Sequence, residues 1–177
     1  ARTEEDVNDI VGMAKGFYDT EVNSVFKTDP AIMRRYVDCA VTEQKYVLNR
    51  QLLNVCRSKT DGKLLAYSWL KRGHYTVYAP EEMAVAEFLH VALDLSPRTR
   101  VTICAQALEL WIEACKLCAI PVLCSTTIRD DQTAFIRLHE RLGFKVRGSF
   151  AYLRINIVYE KQTPIHTRRS IYDCFGK

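Results

Sequence analysis

The sequence lacks any apolar run that reaches the roughly 18 residues a membrane-spanning helix needs. Its start, Ala1-Arg2-Thr3-Glu4-Glu5-Asp6, lacks the basic opening and apolar stretch of a secretory signal. Charge of one sign is in only mild excess. The formal net charge is +4, which permits an anionic ligand such as a nucleotide and does not require nucleic acid. Internal repeats and low-complexity stretches are absent. Cys115-x-x-Cys118 has no second Cys-x-x-Cys and no His pair at ligand spacing, so no metal site is expected. The seven cysteines are odd in number and most sit in apolar segments, which argues against a disulfide scaffold. They read as buried free thiols of a reducing, cytoplasmic compartment, with no membrane partner.

What is present suits one globular domain. In 177 residues, 48% are hydrophobic and 26% charged, enough to bury a core. Thr3-x-x-Asp6 resembles a capping box, and Val7, Ile10, Val11, Ala14, Phe17 and Tyr18 follow at helical spacing. This predicts a helix over residues 4–19. Asp29-Pro30 marks a second helix start, with Ile32, Met33, Tyr36, Val37 and Ala40 as its apolar face. Thr60-Asp61-Gly62 between β-rich runs at 51–59 and 63–72 predicts a hairpin. Gly73-His74 and Ala79-Pro80-Glu81 punctuate the chain. Residues 83–95 are long and largely apolar, as in a strand covered on both faces.

Ser96-Pro97 ends that strand. A turn over 97–100 then leads into a nearly all-round apolar helix at 101–118. Residues 121–126 read as a buried strand. Asp130 or Asp131 starts a further helix, which Gly143 stops in a left-handed conformation. Residues 144–149 and 152–160 read as a final strand pair. The order α-α-β-β-β-α-β-α-β-β is α/β (α+β mixed sheet), with helices on both faces of a central mixed sheet. It gives one domain over 1–160 and a basic, aromatic extension over 161–177.

Three stretches carry a family resemblance. The run from Asp131 to Phe144 contains Ala134, Leu138-His139-Glu140-Arg141-Leu142-Gly143-Phe144. The run from Leu95 to Leu108 keeps Pro97, Arg100, Ala105 and Leu108 at their spacings. Arg2 precedes an acidic-capped helix at Asp6 and Ile10. These resemble the GNAT superfamily of acyl-CoA-dependent N-acyltransferases. The resemblance implies a GNAT-like central mixed sheet, acetyl-CoA as acyl donor and an amine as acceptor. It places Arg98, Arg100, Val101, Thr102, Ile103, Cys104 and Ala105 around the donor's pyrophosphate, and Asp131 at a position where the family carries Asn.

The turn departs from the family pattern. Val101 and Ile103 stand where glycines let the backbone approach the phosphates. Glu87 is the only acidic side chain between Val85 and Leu93, and it is the candidate base. His139 stands where the family has its acid, a tyrosine, and is the candidate acid. Tyr152 and Tyr159 are alternatives to it. In a regular strand His90 faces away from Glu87 and Leu89, as a core or partner-contact histidine.

Two functions follow. One is an acetyl-CoA-dependent N-acetyltransferase. The other is a catalytically inactive pseudoenzyme, a structural or interaction component such as a phage virion protein inside a virus particle. In that second reading the 161–177 tail makes a homo-oligomer or assembly contact.

Overall fold

The computed structural model describes residues 1–19, 28–47, 50–127 and 132–147. Residues 144–147, expected to begin the last strand pair, form no strand. The rest of that pair, the 161–177 tail, Asp130, Asp131, Tyr152 and Tyr159 lie outside the described residues.

Two helices packed on each other open the chain, α1 (Glu4–Phe17) and α2 (Pro30–Tyr46). Local chemistry fixes both starts. The Thr3 hydroxyl accepts from the Asp6 amide at 3.1 Å, and the Asp6 carboxylate accepts from the Thr3 amide at 3.1 Å. That is a complete capping box, with Asp doing the work of Glu. Asp29 Oδ1 accepts from the Ala31 amide at 2.8 Å, and Pro30 supplies the first helical residue.

A meander follows: β1 (Gln51–Arg57), β2 (Leu64–Thr76) and β3 (Ala79–Val91), paired antiparallel in that order. The first turn is the expected one. Gly62 adopts φ +73° and its amide bonds to the Ser58 carbonyl. The second hairpin runs past Gly73-His74, which the sequence suggested as a break. Gly73 takes φ +85° inside β2 at a register shift, so it forms a bulge. Glu82 on β3 holds that bulge: it accepts from Arg72 Nε and Nη2 at 2.7 and 2.8 Å, and from the Gly73 amide at 2.9 Å.

Helix α3 (Pro97–Leu117) crosses over to β4 (Val122–Cys124), which pairs parallel with β3; α4 (Thr133–Arg141) follows. Helix α3 starts four residues earlier than the sequence suggested. The Ser96 hydroxyl accepts from the Thr99 amide at 3.2 Å and Pro97 fills the first position. With no glycine in the turn, nothing interrupts the helix once it is capped.

Helices cover both faces of the sheet. Val7, Ile10 and Ala14 of α1 and Val37, Ala40 and Val41 of α2 pack with Leu53, Tyr67 and Trp69 on one face. Leu108, Trp111 and Cys115 of α3 pack with Leu70, Ala84 and Ala86 on the other, joined by Leu138, Leu142 and Phe144 at α4. Buried Ile103 extends that second face toward Ala66 and Val91. Among the described residues no helix is long and apolar enough to cross a membrane.

Candidate functional site

The site is a gap in the sheet. Strands β3 and β4 pair over only three positions, Met83 with Val122, Ala84 with Leu123 and Val85 with Cys124. Strand β3 then continues to Val91. Residues 86–91 therefore present a backbone edge with no strand on the β4 side, among the described residues. Five steps at ~3.3 Å make this edge roughly 17 Å long. It runs from the end of β4 toward the start of α3.

Glu87 sits at the near end of the edge, on a bulge. Trp69 pairs with Phe88 and Leu70 with Ala86, so Glu87 has no residue opposite it. The extra residue changes which faces the side chains take. Ala84 and Ala86 point to the α3 face, whereas beyond the bulge Leu89 and Val91 do. Glu87 itself reaches Lys71 Nζ at 3.5 Å. That ammonium lies 4.7 Å from the Trp69 ring and 6.0 Å from the Tyr36 ring of α2. Glu87 is thus on the α1/α2 face, with 30% of its side chain exposed. His90 shares that face, stacked on Phe17 at 4.3 Å and bonded through Nδ1 to the Tyr67 hydroxyl at 2.6 Å. The expected opposition of Glu87 and His90 holds only for a regular strand. The bulge overturns it and leaves Leu89 alone on the other side.

His139 lies on the opposite face. It is 4% exposed, and its ring is held between Phe135, with centroids 3.8 Å apart, and Phe144, at 4.9 Å. The helix ending sets this position. Gly143 takes φ +88°, its amide bonds to the Glu140 carbonyl, and the Phe144 amide bonds to the His139 carbonyl. These two bonds form a Schellman motif, the stop expected from Gly143. His139 Nδ1 is 2.8 Å from the Phe135 carbonyl, which can only accept, so Nδ1 carries the proton. Nε2 is 3.0 Å from Ser125 Oγ. Burial holds the imidazole below its ordinary 6.5, and the bond to Phe135 offsets this only in part. The ring is neutral at pH 7, Nε2 is bare, and the Ser125 hydroxyl donates to it. His139 is therefore a proton acceptor in this arrangement. The acid role expected of it would need an Nε2 proton that the neutral ring lacks.

The start of α3 lies near the far end of the edge, where Ile103 packs with Val91 and Ala66. Arg98 is exposed and Arg100 half-buried, and Arg100 Nε is buried without a hydrogen-bond partner. Val101 is exposed, whereas Ile103 is buried in the core. The amides of Val101, Thr102, Ile103, Cys104 and Ala105 lie inside the helix, where i→i−4 bonding uses them. Thr99 N is taken by Ser96 Oγ and Arg100 N by the Ser96 carbonyl. Of the amides in the first turn, that of Arg98 remains for an anion. Asp131 lies outside the described residues.

Of the cysteines, Cys124 ends β4 beside the gap. Cys39 is exposed, against the expectation of burial, and Cys115 is buried on the core face of α3. Burial pushes the Cys115 and Cys124 thiols up, which makes them poor nucleophiles. No cluster of three or more metal-ligating side chains occurs among the described residues.

No protein-family model matches the sequence, and no curated protein matches it. Solved structures do match. Aminoglycoside 6′-N-acetyltransferase AAC(6′)-Ih from Acinetobacter baumannii superposes with a TM-score of 0.61 at 15% identity, covering 88% of this chain and 95% of that one. AAC(6′)-Iy, solved with a bisubstrate analogue of CoA, gives 0.62 at 13%, covering 87% and 94%. The fold is that of the GNAT acetyltransferases. A third GNAT-like match, described as a transcriptional regulator from Bacillus halodurans, gives 0.64 at 19%, covering 86% and 95%. At these identities the likeness concerns the fold and not the reaction. Within the GNAT fold of this chain, the signals that sequence reasoning missed are Lys71, Ser125 and the bulge at Glu87.

Proposed function

We propose that the chain is an acyl-CoA-dependent N-acyltransferase that moves an acetyl group from acetyl-CoA to an amine. The parting of β3 and β4 beside Glu87 carries this reading. The gap joins two differently furnished faces. One has the start of α3, Ser125 and His139; the other has Glu87, Lys71, His90 and an aromatic wall. A donor lying along residues 86–91 can pair its amides with the bare strand edge, as an added strand would. Its phosphates would then meet the Arg98 amide and the guanidiniums of Arg98 and Arg100, whose buried Nε lacks an acceptor. Those residues fit an anionic donor without the glycine turn. Glu87, partly exposed on the acceptor side, would take the amine's proton directly or through one water. Acetyl-CoA supplies the activated thioester.

Calorimetric titration with acetyl-CoA tests this reading. A dissociation constant within about 1 μM to 1 mM is expected, the range in which enzymes usually hold their substrates. Absence of both heat and thermal shift at millimolar ligand would sink it.

One observation favours a second reading, an inactive member kept as an interaction component. Helix α3 runs unbroken through the turn and consumes the amides that would otherwise cradle phosphate. The same titration separates the two.

A further inference from the structure

Ser125 and His139 have the geometry of a nucleophile and its base. Ser125 Oγ donates to His139 Nε2 at 3.0 Å. The other ring nitrogen is oriented by the Phe135 carbonyl at 2.8 Å. Phe135 and Phe144 clamp the ring, and the Schellman bonds fix the backbone that carries it. A hydroxyl, an imidazole within hydrogen-bond reach and a third group that sets the imidazole's tautomer are the three parts of an activated serine. Ser125 also stands in the right place. It directly follows Cys124, the last residue of β4, which pairs with Val85. It therefore faces the gap where the bare edge begins, one or two residues from the Glu87 bulge. Ser125 is half-buried, whereas His139 is buried.

We propose that Ser125 is a nucleophile that takes an acyl group from an activated ester or thioester, with His139 as its base. Ser125 Oγ forms a bond to the acyl carbon as its proton passes to His139 Nε2. The carbon–sulfur bond of a thioester, or the carbon–oxygen bond of an aryl ester, breaks. The leaving thiolate or phenolate takes the proton from Nε2. Water or an amine then attacks the acyl carbon, gives its proton to Nε2, and Oγ leaves with that proton. The neutral imidazole, kept so by burial, is ready for the first step at pH 7. This inference rests on reading the gap as an acyl-donor site. It adds a covalent route that the direct attack of an amine does not use.

The test uses the whole chain and p-nitrophenyl acetate, which needs no phosphate contacts. Intact mass should show one added acetyl group, and peptide mapping should place it on Ser125. Ser125→Ala should lose it while keeping the wild-type melting temperature. His139→Phe, which keeps the ring packing, should slow labelling by about 10²-fold or more. Where His139→Phe fails to fold, the pH profile substitutes. The wild-type labelling rate should rise with pH through a midpoint below 6.5 and then level off. Acetyl on lysine only, or none, would overturn the proposal even where acetyl-CoA binds calorimetrically. Label on Ser125 without acetyl-CoA binding would support this inference and remove the acyl-CoA reading.

Discussion

Glu87→Gln should lower kcat for amine acetylation by about 10²–10⁴-fold, the usual weight of a positioned general base. The KM for acetyl-CoA should stay within about threefold of wild type. That split follows from geometry. Glu87 lies on the α1/α2 face beside Lys71, whereas the donor's phosphates are expected at the start of α3. Gln keeps the size of Glu and its place on the bulge, and removes only the carboxylate's ability to take a proton. Steady-state kinetics on any accepted amine, with the donor varied, makes the measurement. A kcat within threefold of wild type would remove Glu87 from the reaction and leave the fold and the gap untouched.

Asp6→Asn should lower the free energy of unfolding by about 2 kcal/mol at pH 7. Asp6 is a nearly buried carboxylate at the join of α1 and the sheet, 7% exposed. Its burial alone would raise the carboxyl pKa. The bonds from the Arg2 amide, the Arg57 guanidinium and the Thr3 amide outweigh that and bring it from 3.8 down to about 2. Arg57 Nη2 is 2.8 Å from Asp6, and Nη1 is 2.7 Å from Asp9.

The sign follows from linkage. The folded carboxyl titrates below the unfolded one, so the stabilisation is complete above about pH 5 and shrinks as pH falls through 3.8 toward 2. The wild type should therefore lead the Asn variant by about half as much at pH 3 as at pH 7. Denaturant titrations at both pH values check this. An equal lead at the two would show that packing, and not the ionised carboxylate, is what the substitution removes.

Features set by neighbouring residues were legible in the sequence. Thr3 with Asp6, Asp29 with Pro30, Asp61-Gly62 and Gly143 each act over a few residues, and each lies where it was expected. The missing glycines of the turn were legible too, but their consequence was not. Ser96-Pro97 caps a helix there, so the turn became the first turn of α3. The bulge at Glu87 has no local mark. It arises from how β3 pairs with β2, and no glycine announces it. Ser125 and His139 are 14 residues apart and meet because α4 folds back on the end of β4. Pairings of that kind belong to the tertiary fold and leave no pattern along the chain.

The seam between β3 and β4 also bears on the order of assembly. The β1–β2–β3 meander closes through short turns, so its pairings cost little loop entropy. The three pairs at Met83, Ala84 and Val85 must wait for the whole of α3 to form and dock. Among the described strand pairs they are thus set to join last and to separate first. In native-state hydrogen exchange the Leu123 amide should exchange through a smaller opening than the amides of Tyr67 and Trp69 at the centre of β2. Equal protection would mean that the sheet opens as one unit. Among the described strands the cleft is then also the weakest joint, able to widen without unfolding the meander.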